Sequence, residues 1–328
     1  MKPEIFVTRR LPHEAMRLLE ENFELTCNPE DRMLDKNELL GAVAEKDGIL
    51  CLLTDSIDAE VLDAAGQKLK IVANYAVGYN NIDVQACTER KISVTNTPGV
   101  LTDTTADLAM ALLMAVARRI VPAERFARAG RYEGWGPLLF LGTDVHHKTL
   151  GLIGFGRIGF AMARRAAGFG MRILYSDVQR ADPDSEKQVN AEYVSKSVLL
   201  SESDFVSLHA PLTPETRHII DDHALASMKP SAYLINTSRG ELVNEKALVD
   251  ALNNNKIAGA GLDVFEFEPA IDPKLMSMEN VVLLPHIGSA STETRTKMGM
   301  VAAENLIDLL IRNNQPPNCI NPEIYENA

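Results

Sequence analysis

Three side chains in the second half of the chain have the types for proton transfer on an anion. Arg239 stands in NTSRGELV, Glu268 in LDVFEFEP and His286 in LLPHIGSAS. Arginine presents a planar fork of N–H donors that matches a carboxylate. Histidine is the side chain that gains and loses a proton near neutrality. A glutamate beside the ring orients it and favours its charged form. Each of the three lies just past an apolar run, at 232–236, 259–264 and 281–284. Parallel strands deliver such residues to one carboxyl edge, so the three are expected to converge. Taken singly, each reads as a surface charge or a capped strand end. Their common edge is what points to chemistry.

The element that gives these residues something to act with is KTLGLIGFGRIGFAMARRAAGFGMRILYSD, residues 148–177. An apolar strand at 150–153 runs into Gly154, Gly156 and Gly159. A helix from about Arg157 and a second strand ending at Asp177 follow. Gly154 allows the tight turn, Gly156 the close approach of a pyrophosphate, and Gly159 the packing of helix on sheet. The helix start, with Phe155, Arg157 and Ile158 around it, offers N–H groups to phosphate. Asp177 stands where an acid binds the adenosine ribose. Strand, glycines, helix, strand and acid together predict a dinucleotide site. The alternative is a structural glycine turn in another α/β fold.

The bulk numbers set limits. With 328 residues, two domains fit. A net charge of −12 argues against a surface that tracks nucleic-acid phosphates. It leaves room for an anionic substrate at a local arginine. Cys27, Cys51, Cys87 and Cys319 form no C-x-x-C pair and suggest no disulfide framework, which fits a reducing cytoplasm. The N-terminus has no signal-peptide apolar core. The most apolar helix candidate, 106–121, contains Asp107, Arg118 and Arg119 and is too short and charged to span a bilayer. His146 and His147 read as solvated, with no metal-ligand spacing around them, and no metal is expected. His209 and His218 read as structural or as part of a cofactor rim. The methionines read as core filler.

Along the chain, strands are expected at 4–8, 48–53, 70–74 and 92–95. Helices are expected at 12–22 and after TDSID, with Asp55 or Ser56 as cap. Residues 100–130 read as one long buried helix, and 179–187 as a polar loop. Further βα units follow around 205–208, 232–236, 259–264 and 281–284, then a helix at 292–312. This rhythm means parallel sheets covered by helices. There is also a faint repeat: LKIVANYAVG (69–78) aligns without gaps on SAYLINTSRG (231–240). It suggests two halves on one plan, with equivalent loops facing each other across a cleft. The alternative is the generic likeness of all βαβ units.

Four motifs make the sequence resemble the NAD(P)-dependent 2-hydroxyacid dehydrogenases that act on D-isomers. They are NYAVGYNNID (74–83), GLIGFGRIG (151–159), INTSRGELV (235–243), and the pair LDVFEFEP with PHIGSAS. They span nearly the whole chain. The resemblance implies that Arg239, Glu268 and His286 are catalytic. It implies that the N–H groups of Val77 and Gly78 hold the substrate carboxylate, with Leu53 nearby, and that Asp263 binds the nicotinamide carboxamide. It assigns Thr104, His209, Ala210, Pro211, Thr216, Thr237, Ser238, Gly288 and His286 to the cofactor. The YAVGYNNID segment and the Trp135-Gly136-Pro137 loop are most similar to glyoxylate and hydroxypyruvate reductases. There a comparable Trp reaches across a homodimer to the partner's pocket.

The expected architecture is therefore α/β, with two Rossmann-like or flavodoxin-like parallel-sheet domains. The dinucleotide domain, 100–288, is inserted in a substrate domain of 1–99 and 289–328, with crossings near 98–102 and 287–291. The expected reaction is NADH-dependent reduction of a small 2-oxo acid, with His286 as proton donor and NAD(H) preferred over NADP(H) because of Asp177. Arg180, three residues on, would soften that preference. Two other readings fit the scaffold. One is an NAD-sensing protein like the related corepressors, although the chain lacks the disordered extensions of a recruitment hub. The other is a formate or phosphite dehydrogenase, although the formate enzymes of the family carry Gln where Glu268 stands.

Overall fold

The computed structural model describes residues 2–326. The chain begins β1 (Glu4–Val7), α1 (His13–Asn22), β2 (Glu24–Cys27), α2 (Lys36–Val43), β3 (Gly48–Cys51), α3 (Ala59–Ala65), β4 (Ile71–Asn74), α4 (Val84–Glu89) and β5 (Ser93–Thr95). Two helices follow, α5 (Thr102–Ala117) and α6 (Ile120–Arg128). Then come β6 (Thr149–Ile153), α7 (Arg157–Ala167), β7 (Arg172–Ser176), α8 (Pro183–Val189), β8 (Ala191–Tyr193) and α9 (Lys196–Glu202). The chain continues through β9 (Phe205–Leu208), α10 (Asp222–Ser227), β10 (Tyr233–Asn236), α11 (Glu245–Asn253), β11 (Gly259–Leu262), α12 (Pro273–Ser277), β12 (Val281–Leu283) and α13 (Thr292–Leu310). No helix of the described residues is long and apolar enough to cross a membrane.

Two compact units result. One holds the chain up to Leu101 and from Ala290 onward; the other is Thr102–Ser289. The first has a five-stranded parallel sheet in the order β2-β1-β3-β4-β5. Successive strand residues point to opposite faces, so each strand feeds two cores. Ile5, Val7, Leu50, Ile71 and Ala73 pack under α1 and α13, and Phe6, Ile49, Cys51, Val72 and Val94 under α2, α3 and α4. The tail after α13 covers the edge of β5: Ile320 N–H donates to Val94 O at 2.8 Å, and Asn321 Oδ1 accepts from Val94 N–H at 2.9 Å. That edge would otherwise leave backbone groups unpaired.

The second unit has seven parallel strands in the order β12-β11-β10-β9-β6-β7-β8. The strand order reverses between β6 and β9, and ligands bind beyond the strand ends at such a switch point. Its two cores lie on opposite faces, one beneath α9, α10 and α11 and the other beneath α5 and α7.

Four expectations need correction. Residues 100–130 are not one helix. α5 ends at Ala117, Arg119 takes a left-handed φ of 51°, and α6 buries none of its residues. Thr143 N–H takes the Ala117 carbonyl at 2.8 Å. Pro122, which has no N–H to continue a helix, sits in the first turn of α6, where none is needed. The 179–187 segment is not all loop, since α8 starts at Pro183 with Asp182 as cap. The cap of α3 is Asp58, not Asp55 or Ser56. Asp55 is buried, accepting from Thr8 Oγ1 at 2.5 Å and Leu52 N–H at 2.8 Å, and burial pushes its carboxyl up from the usual range. The edge strands β2 and β8 are additions to the expected list.

Candidate active site

The glycine loop leaves β6 with Gly154 at φ 92°, a conformation other residues rarely take. A Cβ there would lie 2.6 Å from the backbone of His209 and Ala210, and one on Gly159 would lie 2.2 Å from the Gly154 carbonyl. Strand, loop and helix are therefore packed backbone to backbone. Gly156 differs: nothing lies within 4 Å of its Cβ position, and it caps α7 with no side-chain bond. The first turn of α7 thus offers its N–H groups outward, as a phosphate site requires. Asp177 follows β7 and lies against this loop, accepting from Phe155 N–H at 2.7 Å and from Val178 N–H at 2.7 Å. Phe155 is buried, stacked on the Tyr175 ring at 4.0 Å between centroids.

The segment after β9 closes the other side of the Gly154 turn. His209 N–H donates to the Ile153 carbonyl at 2.8 Å, and the ring's Nε2 lies 2.9 Å from Ser207 Oγ. Burial pulls this imidazole down to about 4, so it is neutral near neutrality. Thr216 Oγ1 donates to the Pro211 carbonyl at 2.7 Å, and Ser238 Oγ to the Ala210 carbonyl at 2.6 Å. Thr237 is buried, and its hydroxyl has no partner among the described residues. Thr104 lies on the first turn of α5. The glycine cradle, the bare helix start and the unpartnered Thr237 hydroxyl fit a bound dinucleotide.

The loops after β10, β11 and β12 carry the chemistry. His286 Nδ1 and Glu268 Oε2 are 2.9 Å apart, and Phe265 N–H donates to Glu268 Oε1 at 3.0 Å. Burial pushes the Glu268 carboxyl up. The bond and charge of His286, the Phe265 N–H and the charge of Arg239 outweigh it, so the group sits below the usual carboxylate range. His286 itself has a left-handed φ of 55°, uncommon for a residue with a side chain. Asp263 holds it there. The Asp263 carbonyl accepts His286 N–H at 2.9 Å, and its carboxylate oxygens accept Ile287 N–H at 2.8 Å and Gly288 N–H at 2.7 Å. Asp263 is fully buried, and that burial pushes its carboxyl up.

Arg239 is set by the turn after β10. Asn236, buried, donates to the Arg239 carbonyl at 2.8 Å and accepts Ser238 N–H at 3.0 Å. Arg239 Nη1 donates to the Ser238 carbonyl at 2.8 Å. Burial pulls the guanidinium down, opposed by the charges of Glu241 and Glu268. A Cβ on Gly240 would sit 1.9 Å from the Phe265 carbonyl, so only glycine lets the Arg239 turn lie on the segment between β11 and Glu268. Arg239 and Glu268 thus interact electrostatically, and Glu268 and His286 by a hydrogen bond.

Three supporting residues escape a motif-based reading. Asn236 looks like the end of a strand, and nothing in its neighbours announces its grip on Arg239. Glu266 takes His218 Nε2 at 2.6 Å and Glu245 N–H at 2.9 Å, and Glu245 takes Glu266 N–H at 3.1 Å. His218 N–H also donates to the Glu241 carbonyl at 2.8 Å, so it ties the turn after Arg239 to the loop before Glu268. His218 is structural, as one of its two expected readings held.

The remaining expected residues lie apart from this cluster in sequence. In the first unit, Asn74 donates to the Gly78 carbonyl at 2.8 Å and Asn96 to the Val77 carbonyl at 2.8 Å. The N–H groups of Val77 and Gly78 have no acceptor among the described residues. Leu53 is half-buried. In the second unit Trp135 is 84% exposed, beside the exposed Leu138 and Leu141.

Residues 110–288 match the D-isomer specific 2-hydroxyacid dehydrogenase, NAD binding domain. The chain is 55% identical over 328 residues to a glyoxylate reductase of Korarchaeum cryptofilum, covering 99% of this chain and 98% of that one. It is 51% identical to a glyoxylate reductase of Thermococcus litoralis, covering 100% and 99%. Among solved structures, it resembles an NADPH-dependent glyoxylate/hydroxypyruvate reductase of Sinorhizobium meliloti in complex with NADP and malonate. The TM-score is 0.85 at 34% identity, covering 98% of this chain and 97% of that one.

Proposed function

The chain belongs to the D-isomer specific 2-hydroxyacid dehydrogenases and is an oxidoreductase acting on CH–OH groups, and on that premise we propose that it is an NADH-dependent reductase of glyoxylate or hydroxypyruvate. The observation that carries the reading is the 2.9 Å bond between His286 and Glu268 in loops beside that of Arg239. When bound, the reduced nicotinamide supplies the hydride. Gly154, Phe155, Gly156, Arg157, Ile158 and Gly159 would hold its pyrophosphate, and Asp177 its adenosine ribose. His286 gives a proton to the carbonyl oxygen as the alcohol forms. Glu268 orients that ring through Nδ1, which leaves Nε2 for the substrate. Arg239 pins the substrate carboxylate and polarises the carbonyl. The open N–H groups of Val77 and Gly78 are donors of the kind that a carboxylate takes.

NADH is preferred because Asp177 would face the 2′-phosphate of NADPH, and like charges set together cost affinity. The Sinorhizobium enzyme uses NADPH, so this preference belongs to the present chain and not to all its relatives. The exposed Trp135, Leu138 and Leu141 support a homodimer in which Trp135 serves the partner's pocket. Four free cysteines support a reducing, cytoplasmic setting. The test is NADH absorbance followed with glyoxylate, hydroxypyruvate, pyruvate, formate and phosphite in turn. Glyoxylate or hydroxypyruvate should give the highest kcat/KM. Turnover of formate or phosphite alone would contradict the reading.

A further inference from the structure

Arg180 is the first cation after Asp177. Three residues of chain span at most about 10 Å, so the guanidinium starts within side-chain reach of the ribose corner. It is the obvious group to welcome a 2′-phosphate. Its fork is already engaged: Nε donates to Glu186 Oε1 at 2.8 Å and Nη2 to Glu186 Oε2 at 2.8 Å. The two partners are not equally free. The Arg180 side chain is 65% exposed and that of Glu186 10%. Glu186 sits on α8 and also accepts the hydroxyl of Tyr175, a fully buried residue of β7. That hydroxyl accepts Ala181 N–H at 2.9 Å. The anchor is therefore built into the strand and helix, and Arg180 is drawn onto it. Arg180 first, then Tyr175, hold the Glu186 carboxyl down at about 2, so it is ionised wherever the enzyme works.

A guanidinium offers carboxylate and phosphate the same two-pronged geometry, and one fork serves one partner at a time. We propose that Glu186 is a specificity-determining residue for the cofactor, withholding Arg180 from the 2′-phosphate. Two acids then divide the work: Asp177 repels the phosphate, and Glu186 removes the cation that would offset the repulsion. This rests on the reading that Asp177 takes the adenosine ribose. A merely structural ion pair at so exposed an arginine adds little stability and would not alter cofactor choice.

The test is the dissociation constants of NADH and NADPH, with kcat/KM for glyoxylate with each, in wild type, Glu186→Gln, Arg180→Ala and the double variant. Glu186→Gln should tighten NADPH about tenfold and leave NADH unchanged, since the released fork gains only the phosphate as partner. Arg180→Ala should move neither, and the double variant should behave as Arg180→Ala. Glu186→Asp keeps the charge but cannot reach both prongs; it should shift the ratio less in the same direction, and it serves if the Gln variant does not fold. An unchanged NADPH/NADH ratio in the folded Glu186 variants would overturn the proposal. So would a gain that survives removal of Arg180. Wild type binding NADPH as tightly as NADH would contradict the cofactor preference above; if Arg180→Ala then abolished that binding, the withholding would fall as well.

Discussion

At the end of β4, Asn74 turns its buried amide onto the carbonyl of Gly78; at the end of β10, Asn236 turns its own onto the carbonyl of Arg239, one aligned position earlier. The gapless alignment of 69–78 on 231–240 lays β4 on β10 end to end. Each strand is also third along from the first strand of its unit, in β1-β3-β4 and β6-β9-β10. Each loop is thus anchored by the last asparagine of its strand, on carbonyls one aligned position apart, and the two differ in what they present. One exposes bare N–H groups at Val77 and Gly78. The other presents a guanidinium made costly by burial and kept charged by acidic neighbours. Backbone donors need only a loop held in shape. A charged fork needs one particular side chain, and the contrast predicts where each loop is vulnerable.

The largest effect is expected at Arg239. Arg239→Ala should lower kcat/KM for glyoxylate by about 10²–10³-fold, as loss of a charged donor at a reacting carbonyl does. NADH affinity should be unchanged. Arg239→Lys should recover only part, since an ammonium lacks the fork. Steady-state kinetics with a direct NADH titration checks both, and near-normal turnover in the alanine variant would remove the distinction between the loops.

A smaller effect should follow from releasing either loop. Asn236→Ala and Asn74→Ala each strip a buried donor from a carbonyl, which costs about 1–3 kcal/mol of stability. Denaturant unfolding measures that. Each should also raise KM for the 2-oxo acid with little change in NADH affinity. If Asn74→Ala destabilises the protein yet leaves KM alone, the loop after β4 does not hold the substrate, and the likeness to the β10 loop is one of fold only.

Much of this was legible in the sequence for a physical reason. The glycine loop and the polar residues past apolar runs are local patterns, and a parallel sheet turns local patterns into a common edge. The two parallel sheets follow from the same rhythm. What was not legible depends on partners distant in the chain. Asp263 reads as a strand-end acid, yet it accepts three N–H groups from 286–288 through its carbonyl and carboxylate. The break at Arg118-Arg119 was written locally in Pro122, but the apolar run around it pointed to one helix. The D-P-D-S-E start of α8 is a helix signal that its polarity obscured. β2 and β8 are short edge strands whose polarity hides them.

The central claim is that His286, paired with Glu268, is the proton donor, and the kinetics of variants at these two residues test it most directly. The Glu268 carboxyl lies below the usual carboxylate range, so it remains a negative charge through the whole neutral range. The support that Glu268 gives should therefore persist as pH falls through the usual carboxylate range and fade only below it. Glu268→Gln keeps the side-chain shape and removes the carboxylate charge beside the ring. The variant should therefore lower reductive kcat/KM at neutral pH with NADH affinity unchanged, and His286→Ala should lower it further. If Glu268→Gln kept the wild-type reductive rate, Glu268 would not support the proton donor; if His286→Ala kept it, another group would have to supply the proton.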